Sequence, residues 1–184
     1  MMLDLLSATW SLILFAFLTG IFTKLADLAI DGKKKYFFNG AEYVFGILWG
    51  IFAVLVVFGN LFITAFYLGI LLSWVTRYKL DHYGHTIAGV FLFFAIYWLH
   101  PSEKIHYVII FGTFILFTLF GYLTRHKIIK NTFFTEYNIY SFIFLGILAV
   151  FYSEILIVIF ASLANVLGYH GVKKWAKRRE FIEI

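Results

Sequence analysis

Six apolar runs, at residues 5–23, 41–58, 61–75, 86–99, 107–124 and 139–169, leave only short polar intervals between them. A chain built this way is expected to be an all-α integral membrane protein. Backbone amides in lipid must be satisfied within their own segment, and about 20 apolar residues in a helix cover a hydrocarbon core of about 30 Å. With 62% hydrophobic and 14% charged residues, too little polar surface remains for a soluble globule. The first run is of span length and carries Asp4 where a signal peptide has a basic flank, so it is read as retained. No Ser/Gly/Pro-rich linker interrupts the chain, and residues 1–184 are expected to form one transmembrane domain whose last part, 171–184, is a basic cytoplasmic tail.

Charge decides how many spans there are. The last run, with 31 residues, is long for one helix and short for two. Six spans divide the lysines and arginines nine against six, which favours neither orientation. If the run folds back near Ser153-Glu154, seven spans result, and Lys24, Lys33, Lys34, Lys35, Arg77, Lys79, Arg125, Lys127, Lys130 and the five bases of the tail share one side. That count is fourteen against one, with only Lys104 opposite. The positive-inside bias then puts the N-terminus outside and the C-terminus in the cytoplasm, in a cell (plasma) membrane. Unbroken, the last run would instead be one long tilted helix with Glu154 in mid-membrane, at high cost unless it served as a proton or cation site.

Val75-Thr76-Arg77-Tyr78-Lys79-Leu80 recurs 48 residues later as Leu123-Thr124-Arg125-His126-Lys127-Ile128, and Gly121-Tyr122 recurs after 47 as Gly168-Tyr169. These echoes suggest a leading helix followed by three helical hairpins. Interfacial ends of helices also favour aromatic, Thr and basic residues, and the topology does not depend on the repeat. Gly59-Asn60 and His100-Pro101-Ser102 are good hairpin tips, whereas nothing at Ser153-Glu154 forces a reversal.

Two polar clusters fall on the expected cytoplasmic side. Asp27 and Asp31 are four residues apart at the end of the first run, on one helix face. Such carboxylates suit Mg²⁺ or Mn²⁺, hard cations that bridge to phosphate oxygens. Asp81, His82 and His85 follow in the loop before the fourth run, where Asp81 would add a metal ligand and either histidine would serve as acid or base. Lys24, Arg77 and Lys79 lie close by and would neutralise phosphate charge. An interfacial reading competes throughout: Asp27 pairing with Lys24, Asp81 with Lys79, and the histidines merely polar where the chain re-enters lipid. The Asp-x-x-x-Asp run resembles part of the aspartate-rich motifs of intramembrane prenyltransferases. It covers nine residues, has Thr23 and Lys24 where those motifs usually open with asparagine, and has no second acidic motif, so no family follows from it.

Zero cysteines exclude disulfides, thiolate metal sites and cysteine nucleophiles. Five excess positive charges are accounted for by membrane loops and tail, and no nucleic-acid partner is expected. Membrane lipids are, and Lys173-Lys174-Trp175-Ala176-Lys177-Arg178-Arg179 would lie against anionic headgroups. Assembly with further copies of the chain is compatible with this composition. Three functional readings compete. The first is an enzyme on a lipid or polyprenyl phosphate or diphosphate, a metal-dependent transferase or hydrolase. The second is a small channel or carrier for a cation or small solute, lined by Asp27, Asp31 and Glu154. The third is a non-catalytic membrane subunit.

Overall fold

Apolar runs become helices here because lipid-soluble side chains without polar competitors leave the backbone only its own hydrogen bonds, and each helix ends where a breaker or cap occurs. The structure, a computed structural model, describes residues 9–30, 37–77, 82–130 and 133–178. It contains α1 (Thr9–Ile30), α2 (Ala41–Gly59), α3 (Leu61–Thr76), α4 (Tyr83–Leu99), α5 (Lys104–Arg125), the single turn α6 (Phe133–Glu136), α7 (Ile139–Ala149) and α8 (Leu156–Arg178). Among the described residues there is no strand. Four segments are long and apolar enough to cross a membrane: α1, α2, α5 and the stretch Ser153–Arg178. The apolar helices α3, α4 and α7 are shorter, with 16, 17 and 11 residues.

The turn between α2 and α3 is built by Asn60, whose side chain accepts from the amides of Phe62 at 2.9 Å and Ile63 at 3.2 Å. Such a cap contributes about 1 kcal/mol. The Thr64 hydroxyl donates back to the Val57 carbonyl at 2.8 Å and ties the two helices together. Helix α4 ends at His100, which takes a left-handed backbone with φ 45° just before Pro101. The long apolar run 139–169 is not one helix. After Ala149 the backbone turns, Tyr152 is extended, and a 3₁₀ turn at Ser153–Ile155 carries an exposed Glu154 into α8.

Pairs of residues in contact set the relative directions. Phe15 meets Phe52 and Phe22 meets Phe45, so α1 and α2 are antiparallel. Trp49 meets Trp74 while Val57 meets Thr64, so α3 runs back along α2. Gly46 lies against Gly84 and Gly50 against Ala88, which makes α4 parallel to α2. Phe62 meets His106, Gly69 lies against Ile110 and Thr113, and Arg77 against Gly121, so α5 is parallel to α3. Gly112 touches Phe144 while Phe117 and Phe120 touch Tyr140, turning α7 antiparallel to α5. Phe17 and Ile21 face Gly168 and Leu25 shares a groove with Trp175, so α8 is parallel to α1. Among the described residues, α1, α3, α5 and α8 therefore run one way and α2, α4 and α7 the other.

Small residues bring the helices this close, as is usual where packing rather than water drives helix association. A Cβ at Gly20 would lie 1.9 Å from the Asn165 carbonyl oxygen, and one at Gly168 would lie 2.2 Å from that of Phe17. The buried interior is mostly apolar, with Leu12, Val56, Ile63, Leu92, Ile109, Leu145 and Val158 nearly inaccessible, and it also takes in Thr64, Ser73, His106 and Thr113. Large side chains such as Phe93, Phe94, Tyr97 and Trp98 on α4 are exposed, an outer surface that suits lipid.

Candidate functional site

At the end of the bundle where α1 and α8 finish and α4 begins, Asp27 collects partners from three helices. Its Oδ1 lies 2.9 Å from His85 Nε2, its Oδ2 accepts from the Tyr169 hydroxyl at 2.9 Å, and Lys24 Nζ stands 3.6 Å from Oδ2. Lys24 is buried, and its ammonium also sits 5.2 Å from the centroid of the Tyr169 ring, where the negative face of the ring attracts it. Both carboxylate oxygens are thereby engaged. Helical spacing places Lys24 one turn before Asp27, and the parallel packing of α8 on α1 brings in Tyr169 from 142 residues away.

The other residues expected at this site are distributed differently. His82 is exposed, with its ring centroid 6.3 Å from that of His85. Arg77 donates from Nε to the Ser73 carbonyl and lays its guanidinium over Gly121 beside Tyr140, at the α3–α5 contact. Asp31, Lys79 and Asp81 lie outside the described residues. Among the described residues no group of three His, Asp or Glu side chains is arranged to hold a metal ion. The union of Asp27 with His85 joins the two sequence clusters; Tyr169 was not singled out as a site residue, though its Gly-Tyr pair had been noted as an echo.

A second ionic contact closes the neighbouring face. Lys173 on α8 hydrogen-bonds the Glu136 carboxylate at the end of α6, and His170 stacks on Tyr137 with centroids 4.1 Å apart. The Lys173 ammonium holds the Glu136 carboxyl below its ordinary range.

Below the Asp27 group the helices do not close completely. A cavity of about 110 Å³ lies between α1, α2, α3, α5, α7 and α8. Its walls are aromatic, from Trp49, Phe66, Tyr67, Trp74 and Phe117. Its polar groups come from Thr19, Thr23, Asn138, Ser141, Ser162 and Asn165. Several of these are already used: Thr19 donates to the Phe15 carbonyl, Ser141 to that of Asn138, and Asn138 Oδ1 accepts from the Tyr140 hydroxyl. The Tyr67 hydroxyl faces the Asn165 side chain. Trp49 links cavity and polar cluster, since its ring meets Trp74 edge-on at 5.6 Å and His85 edge-on at 5.3 Å. A mostly apolar chamber with a few convergent polar groups is the usual form of a small-molecule site between bundle helices. None of its lining residues was singled out from the sequence.

The comparisons add no family: the chain matches no known family model, no curated protein and no solved structure.

Proposed function

We propose that the protein is a seven-span membrane carrier that holds a small solute in the cavity between α1, α3 and α8. The observation that carries this reading is the set of asparagine, serine and threonine residues gathered with aromatic rings around one chamber, in a bundle whose buried residues are mostly apolar. The alternating direction of the seven helices supports seven crossings, and the gathering of Lys24, Arg77, Arg125 and Lys173 at one end supports a cytoplasmic C-terminus. The path first expected, through Asp27, Asp31 and Glu154, is set aside in favour of the cavity, because Glu154 is exposed and Asp27 is fully engaged, while Asp31 lies outside the described residues.

The absence of cysteine makes a direct test available. Ser162→Cys, reconstituted in vesicles, is expected to react with a membrane-impermeant thiol reagent added from either face in turn, as alternating access demands. Failure to react from either face in a folded protein would remove the carrier reading.

The lipid-phosphate enzyme stands as a second reading, favoured by one observation: Asp27 and His85, 58 residues apart, meet near a bundle end that α4 and α8 also reach. On this reading Mg²⁺ or Mn²⁺ binds the wild type by calorimetry and fails to bind Asp27→Asn. Heats indistinguishable from buffer for the wild type would eliminate it.

A further inference from the structure

The carrier reading leaves its solute unnamed, and the lining of the cavity narrows it. We propose that the cavity binds a neutral, planar, single-ring compound with a carboxamide, lactam or imide edge; this rests on the cavity of the carrier reading, though not on transport itself.

Charge comes first. No Lys, Arg, Asp, Glu or His side chain lines the cavity. An ion placed there would surrender its hydration without a counter-charge, at a cost no neutral amide repays. Lys24, next in the chain to the lining residue Thr23, is already paired with Asp27. The solute is therefore neutral.

Size and shape come next. A volume of about 110 Å³ is the order of that which admits a single benzene ring in an apolar protein cavity. Trp49 and Trp74 stand at 64° to one another, and Tyr67 lies two helical turns before Trp74 on the same face of α3. Flat walls of this kind gain contact from a flat ligand through offset or edge-on ring packing. A sugar of similar size would turn hydroxyls against Phe66, Ile70, Phe117 and Val166, which offer them no partner.

The polar edge completes the description. Asn138 has its carbonyl oxygen occupied by the Tyr140 hydroxyl, which leaves its amide N–H groups as donors. Asn165 is hydrogen-bonded to the Tyr67 hydroxyl and keeps the rest of its carbonyl and amide capacity for a ligand. A carbonyl adjoining an N–H on the rim of a ring answers both residues at once. A plain hydrocarbon ring would use none of the remaining capacity of these amides, and a site made to hydrogen-bond its ligand discriminates strongly against such analogues.

The test titrates the full-length protein in nanodiscs with benzamide and uracil, and with benzoate, glucose and toluene as counterparts, by tryptophan fluorescence and calorimetry. Benzamide or uracil is expected to bind saturably, with quenching that Trp74→Leu removes, and to slow alkylation of Ser162→Cys. Asn165→Ala is expected to weaken that binding about tenfold, the loss of one hydrogen bond to a buried amide. Should Asn165→Ala misfold, Asn138→Ala and the protection of Ser162→Cys decide in its place. No saturable binding of either amide, or equal binding of benzoate, glucose or toluene, overturns the proposal. Ser162→Cys reacting from both faces without protection by either amide keeps the carrier and discards this ligand class. Protection without reaction from both faces does the reverse.

Discussion

Gly20→Leu is expected to lower stability by about 3 kcal/mol, read as a fall in the unfolding midpoint of the purified protein in detergent. A Cβ at this position would stand 1.9 Å from the Asn165 carbonyl oxygen and 2.9 Å from the Tyr169 amide nitrogen. These are backbone atoms of α8, so no rotamer relieves the clash and the whole helix has to withdraw. Withdrawal carries Asn165 away from the cavity and Tyr169 away from Asp27, so that solute binding and the polar cluster fail together. Gly146 and Gly171 supply the control, since a Cβ at either meets no atom within 4 Å. Alanine there should leave stability unchanged or raise it by up to about 1 kcal/mol through helix propensity. Equal midpoints for Gly20→Leu and Gly146→Ala would show that α1 and α8 do not meet as described.

Asp27→Ala is the second large effect, also of about 3 kcal/mol. Removing the carboxylate leaves the ammonium of Lys24, a residue only 8% exposed, without a counter-charge and strands the Tyr169 hydroxyl and the His85 ring. Asp27→Asn keeps an acceptor for Tyr169 and His85 but not the charge, and should lie between the two. A double mutant with His85→Ala should recover part of the loss, because residues sharing a hydrogen bond are not additive. An unfolding midpoint for Asp27→Ala equal to that of the wild type would mean that the cluster contributes nothing to stability, and with it would go the link from Trp49 through His85 to Asp27.

The helices were legible where the apolar pattern and a breaker coincide. Asn60 ends one run and caps the next, and the long run 139–169 divides at the Ser153-Glu154 position suggested by the charge count. Boundaries shifted where polar residues find partners inside the fold. That is so for α8, whose helix runs on through the basic residues to Arg178 with Lys173 on Glu136, whereas α1 reaches Ile30 as the helical placing of Asp27 already implied. The site was half legible. Asp27, His85 and Lys24 stood out as ionisable groups in a chain with few of them. Tyr169 and the cavity did not, because both depend on which faces of distant helices meet. Trp49, Trp74 and Asn165 look, residue by residue, like ordinary membrane packing, and a void among large side chains leaves no local trace in the order of the residues.

Helix α7 has 11 residues, a rise of about 16 Å, roughly half the thickness of a hydrocarbon core. On the seven-span reading, the bilayer beside it must either thin or admit the turn between Val150 and Ser153, whose exposed Val150 and Phe151 are apolar enough to sit in acyl chains. This side of the protein is then a place where lipid chain length presses on the fold, and Asn138 and Ser141 at the head of α7 carry that pressure directly to the cavity wall.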